Sequence, residues 1–167
     1  MNNFETLHQQ KKTDSSLAES LQIVLGNTYG LYLATHNYHW NVEGNNFFPL
    51  HKLFEEQYNS LFEAIDVIAE RLRALDCYAL PFEGDEILIM LKTTSNALNK
   101  ETDSSARSTR MIHNLIDINE KVVMSCQSTK KDAQNMGDDE TENLMVERIT
   151  YHQKALWMLK STIKQVA

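Results

Sequence analysis

The residues best equipped for chemistry are two histidines, His39 and His51, and three acids that follow them, Glu55, Asp66 and Glu70. Imidazole nitrogens together with carboxylate oxygens make a donor set for an ion such as iron or zinc. From Pro49 onward, Leu50, Leu53, Phe54, Leu61, Ile65, Ile68, Leu72 and Leu75 recur at three-and-four spacing. This pattern predicts one long amphipathic helix with Pro49 near its first turn. At about 100° per residue, His51, Glu55, Asp66 and Glu70 fall at roughly 0, 40, 60 and 100° around that helix, all on one flank. Tyr58, Phe62 and Ala69 share the flank, which a plain solvated face would lack.

The rise along the helix adds a second condition. His51 and Glu55 form one i,i+4 pair and Asp66 and Glu70 another, but eleven residues separate Glu55 from Asp66. That gap is about 16 Å of helix, and metal ligands sit at about 2 Å, so no single ion joins the pairs within one chain. The four positions are symmetric about the point between Ser60 and Leu61. Two copies of the helix packed antiparallel about a two-fold axis through that point bring His51 opposite the partner's Glu70, and Glu55 opposite the partner's Asp66. An isologous contact of this kind builds two identical metal sites from two half-sites. The spacing therefore predicts a homo-oligomer whose chemistry depends on assembly.

The elements that would position these residues follow from the rest of the chain. Its 167 residues suit one domain, and 42% hydrophobic and 23% charged residues are ordinary for a globular protein. Five Gly, two Pro and no alternating β-branched pattern favour an all-α chain. The formal charge of -7 gives no general attraction to nucleic acid or anionic membrane and favours cationic partners, metal ions included. Cys77 and Cys126 lack metal-ligand spacing and read as reduced thiols of a cytoplasmic protein. No secretory leader is expected, because residues 1–16 have no apolar core, and no apolar run is long enough to span a membrane.

Residues 1–15 read as a flexible polar tail, and 16–167 as the folded domain. A first helix is expected from about Ser16 to Asn41, capped by Asp14 or Ser15, with Leu17, Leu21, Leu25, Tyr29 and Leu33 buried. It carries His39 near its end, and Gly44 turns the chain toward the helix of His51, so a helical hairpin would bring the two imidazoles to one end of a bundle. That second helix closes near Asp76, and residues 78–84 with Pro81 form a loop. A short helix over 85–92 then lies within a crossover. A third helix over about 103–132 is carried by Met111, Leu115, Ile118, Val122 and Ser125. After Gly137 a fourth begins, capped by Asp138 or by an Asp139-x-x-Glu142 box, and buries Leu144, Ile149, His152, Leu156 and Leu159. The fold class is thus all-α, a four-helix bundle with a short helix in the crossover between its second and third helices. Paired E-x-x-H motifs, which bundles with metals in their own core use, are absent: Glu5 to His8 is the single instance.

At this point the residues resemble a known family. His39-Trp40 followed by Asn41-Val42-x-Gly44-x-x-Phe47, then Leu50-His51, then Ile65-Asp66-x-Ile68-Ala69-Glu70-Arg71, is similar to the Dps (DNA protection during starvation) mini-ferritins. The closing stretch GDDETENLMVERITYHQKALWMLKS resembles that family's last helix, so the likeness covers nearly the whole chain after the tail. It implies a ferritin-like bundle assembled as a hollow dodecamer in the bacterial cytoplasm, near the nucleoid. The implied reaction oxidises Fe(II), preferentially with hydrogen peroxide, stores Fe(III), and so counters oxidative stress. The resemblance implies iron ligands at His39, His51, Asp66 and Glu70, and a fifth at Glu55, where the family commonly has Asp. The histidine half of each site comes from one subunit and the acidic half from its two-fold mate. Trp40 resembles the tryptophan beside the metals, where it would give up an electron when only one iron is bound.

Plainer readings stand beside these. His36, His113 and His152 read as ordinary partners of polar neighbours, although His36 lies near enough to assist iron, and Asp66 and Glu70 would pair with Arg71 or Arg73 if they were surface charges. Asp139 is either a helix cap or a metal-binding residue at an acidic three-fold pore, where Asn143 replaces a frequent family Asp. Zinc is an expected substitute for iron. The competing function is a non-catalytic shell that coats DNA, but Lys11 and Lys12 are offset by Glu5 and Asp14, so DNA binding is expected to be weak.

Overall fold

The computed structural model describes residues 3–80, 92, 94–96, 98 and 102–164, with side chains from residue 16 onward. Among these residues the chain forms four long helices and no strand. They are α1 (Asn3–Asn41), α2 (Phe47–Ala74), α3 (Ser104–Met136) and α4 (Asp139–Thr162). The bundle and its order match the expected fold class. The short crossover helix expected at 85–92 lies outside the described residues, apart from helical Lys92.

Helix α1 begins at Asn3, well before Ser16, so backbone expected as a flexible tail is continuous with the bundle's first helix. Asp14 and Ser15 are interior residues and not caps. The physical reason is that no Gly or Pro interrupts the chain before Gly26, and polar residues with moderate propensity do not stop a helix by themselves. The buried stripe also differs from a strict four-residue repeat. Leu17, Leu21, Val24, Leu25, Thr28, Leu31, Thr35 and Tyr38 are inside, while Tyr29 and Leu33 are half-buried. A four-residue step drifts by about 40° each time, so the stripe has to alternate threes and fours.

In α2 the core side chains are Leu50, Phe54, Leu61, Ala64, Ile68 and Leu72. Leu53, Ile65 and Leu75 pack against them from the edge. Fully burying such a side chain contributes about 2 kcal/mol. The turn before α2 needs Gly44, whose φ is 91°, and an added Cβ would lie 2.8 Å from Ser104 Oγ at the start of α3. Ser108 Oγ donates to the Glu43 carbonyl at 3.1 Å and Arg107 reaches the Glu43 carboxylate at 3.0 Å. These contacts tie the α1–α2 turn to α3.

Asp103 caps α3 by accepting from Ala106 N at 2.7 Å. Gly137, at φ 70°, ends it. There Asp138 N donates to Ala133 O at 3.0 Å and Gly137 N to Gln134 O at 3.3 Å, the paired bonds of a Schellman ending. Cys126 occupies the buried position expected for Ser125, which is half-buried. On α4, His152 and Leu159 are buried as expected, with Thr141, Met145 and Ala155, while Leu144, Ile149 and Leu156 are partly exposed.

The α4 cap is Asp138. Its carboxylate accepts from Thr141 N at 3.0 Å and Thr141 Oγ1 at 2.9 Å, and from Arg71 Nη2 at 2.7 Å on each oxygen. Burial acts to raise the Asp138 pKa, but Arg71 and Thr141 outweigh it and hold the group below its usual range. The expected Asp139-x-x-Glu142 box does not form, and Glu142 accepts from Gln134 Nε2 at 2.6 Å instead. Helices α2 and α4 approach less closely than the other neighbours. Long side chains bridge them, Arg71 at one end and Tyr151, whose hydroxyl donates to the Gln57 carbonyl at 3.3 Å, further along.

His152 of α4 is fully buried and bonded to α3. Its Nδ1 lies 2.9 Å from Asn119 Oδ1, an acceptor, so Nδ1 carries the hydrogen, and Nε2 is left to accept from Arg148 Nη2 at 3.4 Å. Burial first, and then the Arg148 charge, push its pKa from 6.5 down to about 3. Between those values the unfolded chain binds more protons than the folded one, so stability is complete above the unfolded pKa and is lost on acidification. Equilibrium unfolding measured from about pH 7 to about pH 4 should show stability falling with pH, and His152→Gln should flatten that slope. An equal slope in the variant would refute the assignment.

Candidate metal half-site

The α1–α2 hairpin brings His39 and His51 into direct contact. Their rings stack with centroids 3.8 Å apart and 22° between planes. His39 Nδ1 lies 3.0 Å from the His51 carbonyl oxygen, and His51 Nδ1 lies 2.9 Å from the His39 carbonyl oxygen. A carbonyl only accepts, so each Nδ1 must be the N–H donor. In the neutral imidazoles the lone pair is therefore on Nε2 of both rings, which is the form that binds a metal ion. His39 is only 9% exposed, so its orientation is held by packing as well as by the hydrogen bond.

Aromatic rings surround the pair. Phe47 lies 5.0 Å from the His51 ring, and Tyr58 meets His39 edge-on at 5.1 Å. His36 sits between Trp40 at 4.2 Å and Tyr58 at 4.3 Å. Its pKa is lowered, first by burial and then by His39. The sequence reading gave His36 no such place, although its i,i+4 spacing from Trp40 was a usable signal. Trp40 itself is 64% exposed.

Glu55 lies one turn beyond His51 and pairs through one carboxylate oxygen with Lys52, whose Nζ is 2.6 Å from Glu55 Oε2. That hydrogen bond and the Lys52 charge hold the Glu55 carboxyl below its usual range, with smaller help from His39 and His51. The Lys52 contact at i,i+3 was also missed from sequence.

Asp66 and Glu70 are not brought to the histidines. Fifteen residues separate Asp66 from His51, about 22 Å along a continuous helix, and both acids are exposed. Neither makes an ion pair among the described residues. Arg71 is committed to Asp138 and Thr141, while Arg73 donates to the Cys77 carbonyl at 2.9 Å and lies over the Tyr78 ring. Among the described residues, no group of three His, Cys, Asp or Glu side chains within one chain is placed to hold a metal ion. The histidine pair, His39 of α1 with His51 of α2, and the acidic pair of α2 are thus two separate donor sets, with Phe62, 62% exposed, between them along α2.

Asp139 is exposed in the first turn of α4 beside Glu140, because Asp138 supplies the cap. His152 is an ordinary hydrogen-bonded core histidine, as expected. Among the described residues no helix is long and apolar enough to cross a membrane.

Comparison with known proteins places these features in context. The ferritin-like domain profile matches residues 18–167. General stress protein 20U of Bacillus subtilis (strain 168) is 30% identical over 145 residues, covering 87% of this chain and 95% of that protein. The X-ray structure of Dps from Thermosynechococcus elongatus superposes with a TM-score of 0.77 at 27% identity, covering 93% of this chain and 94% of the other. The Dps protein of Vibrio cholerae O1, described as one of the ferritin-like diiron-carboxylate proteins, superposes with a TM-score of 0.72 at 30% identity over 92% of each chain.

The hydrogen-bond pattern makes a direct spectroscopic prediction. In metal-free protein, nitrogen-15 solid-state NMR should find the neutral forms of His39 and His51 as Nδ1–H tautomers, identified by their loss in His39→Asn and His51→Asn. An Nε2–H tautomer at either position would contradict the geometry.

Proposed function

The chain belongs to the Dps proteins of the ferritin-like family, and from that premise we propose that it oxidises Fe(II) with hydrogen peroxide and stores the Fe(III) product inside a hollow dodecamer. The observation that carries this reading is the reciprocal lock of His39 and His51, which frees the Nε2 lone pair of each ring, while among the described residues no group of three donor side chains is completed within one chain. The missing carboxylates are those of Asp66 and Glu70 on the two-fold mate, with Glu55 beside the histidines. Exposed Phe62 at the centre of the flank supports a partner surface there, because a large apolar side chain gains about 2 kcal/mol from burial.

The residues divide the chemistry. His39 and His51 receive Fe(II), which imidazole suits, and the hard carboxylates favour Fe(III) as it forms, so oxidation is made easier. Two Fe(II) ions each give one electron to one hydrogen peroxide, which takes up two protons and leaves as two waters. Iron so consumed is withheld from radical-forming reactions in solution. The same donors accept zinc, which would block the site. A charge of -7 per chain offers phosphate no general attraction, which favours iron chemistry over a DNA-coating shell.

His51→Ala and Asp66→Ala should each abolish rapid peroxide-driven iron oxidation while the oligomer remains assembled. Co-assembly of the two variants should restore part of the rate, since a mixed dimer holds one doubly damaged site and one intact site. Mixed dimers with no recovered activity would contradict the shared-site arrangement.

Iron admission is assigned to the exposed acids at the start of α4. Asp139→Asn should slow uptake at limiting iron and leave oxidation at saturating iron nearly unchanged. Helix stability should also be unchanged, because the cap is Asp138, whereas loss of a true cap costs about 1 kcal/mol. Unaltered uptake in the assembled variant would remove Asp139 from the route.

A further inference from the structure

Arg148 of α4 carries a positive charge into the bundle, and among the described residues no carboxylate answers it. Its guanidinium lies over the Tyr151 ring at 4.5 Å and forms no ion pair with Asp or Glu. One hydrogen bond, from Nη2 to His152 Nε2, is long at 3.4 Å, and Nε is buried without an acceptor. The neighbouring Cys126 is no counter-charge, because burial pushes its thiol up to about 12. A second donor is stranded on the facing helix. Gln57 is 6% exposed, and its Nε2 is buried with no partner. Its backbone carbonyl takes the Tyr151 hydroxyl at 3.3 Å, while Arg71 meets Asp138 further along the same antiparallel pair. That register sets Arg148, three residues before Tyr151, against α2 within about one turn of Gln57.

We propose that the seam between α2 and α4 binds one halide-sized anion, chloride in ordinary salt, between Arg148 Nε and Gln57 Nε2. Burying a cation is costly unless an opposite charge accompanies it, so the seam calls for an acceptor that is also negative. A water molecule satisfies the donors but leaves the charge uncompensated. These two helices approach less closely than the other neighbours, which leaves width for an ion between them. A monatomic ion accepts from both donors with no orientation of its own. Phosphate or a carboxylate brings further oxygens, and the groups nearby are already used: the Tyr151 hydroxyl donates to Gln57, and His152 Nδ1–H donates to Asn119 Oδ1. The bound anion thus does for Arg148 what Asp138 does for Arg71. This site does not depend on the iron-oxidising function.

The test uses the assembled full-length protein. Crystals grown in sodium bromide are measured at the bromine absorption edge, and the expected result is an anomalous peak within hydrogen-bond reach of Arg148 Nε and Gln57 Nε2. In solution, chloride is exchanged for the bulky anion gluconate at fixed ionic strength while the thermal midpoint is followed. A ligand that binds only the folded protein raises the midpoint with the logarithm of its concentration, by about 3 °C for each tenfold increase once the site fills. Arg148→Met removes the charge, and Gln57→Glu sets a carboxylate of the same size beside Arg148, so each should remove most of the chloride dependence. Bromide peaks confined to exposed lysines, an adventitious ion only, or a seam filled by water would overturn the proposal. So would a chloride dependence that Gln57→Glu leaves unchanged, a result that stays decisive even if Arg148→Met fails to assemble.

Discussion

Two hydrogen bonds that cross between α1 and α2 control the geometry of this protein's candidate chemistry. Each of His39 and His51 donates Nδ1–H to the backbone carbonyl of the other, so ring orientation is set by main chain and not by a flexible partner. The same bonds fix the register of the hairpin, because a one-residue slip would move one carbonyl away from its donor. Histidines that bind metals commonly need another group to hold the tautomer, and His39 and His51, the proposed ligands, each use the other's backbone. The short turn that makes this reach possible depends in turn on Gly44, whose φ of 91° strains any other residue and which packs against Ser104.

The interior of the bundle serves a different purpose. Its polar residues are neutral or cationic: His152 is held uncharged between Asn119 and Arg148, and Arg148 lies over the Tyr151 ring at 4.5 Å. Among the described residues no carboxylates converge there to stabilise a divalent ion. The carboxylates that could do so are displaced to the exposed flank of α2. Rigid secondary structure makes that displacement permanent, since a continuous helix cannot fold back to bring Asp66 or Glu70 to His51. Arg71, next to Glu70, is drawn the other way into the cap of α4. It ties the acidic end of α2 to the acidic start of α4.

The exposed aromatic groups on this side acquire meaning from the same division. Trp40 and Phe62 are large, apolar and largely uncovered in one chain. A solitary exposed ring needs no account, but under the proposed function the rings that flank the histidine pair and the acidic pair lie where a second copy would both bury surface and supply ligands.

Much of this was legible from residues alone. The three-and-four spacing of apolar side chains gave α2, α3 and α4 with small boundary errors, because burial on one face of a helix leaves a periodic record. The i,i+4 pairs and their eleven-residue offset were equally legible, since helix rise is fixed by backbone geometry. Other features depended on partners distant in sequence. Asp138 rather than Asp139 caps α4 because Arg71, sixty-seven residues earlier, selects it. The early start of α1 was hidden because Asp14 and Ser15 are good caps that are tolerated within a helix when nothing breaks the chain. His36 joined Trp40 to Tyr58 only once α1 and α2 had docked, and the Nδ1 tautomers required the two carbonyls to be in place. Sequence thus determined which donors exist and how far apart one helix must hold them, whereas tertiary structure decided which atoms face each other, because hydrogen-bond direction is a property of docked backbones and not of residue order.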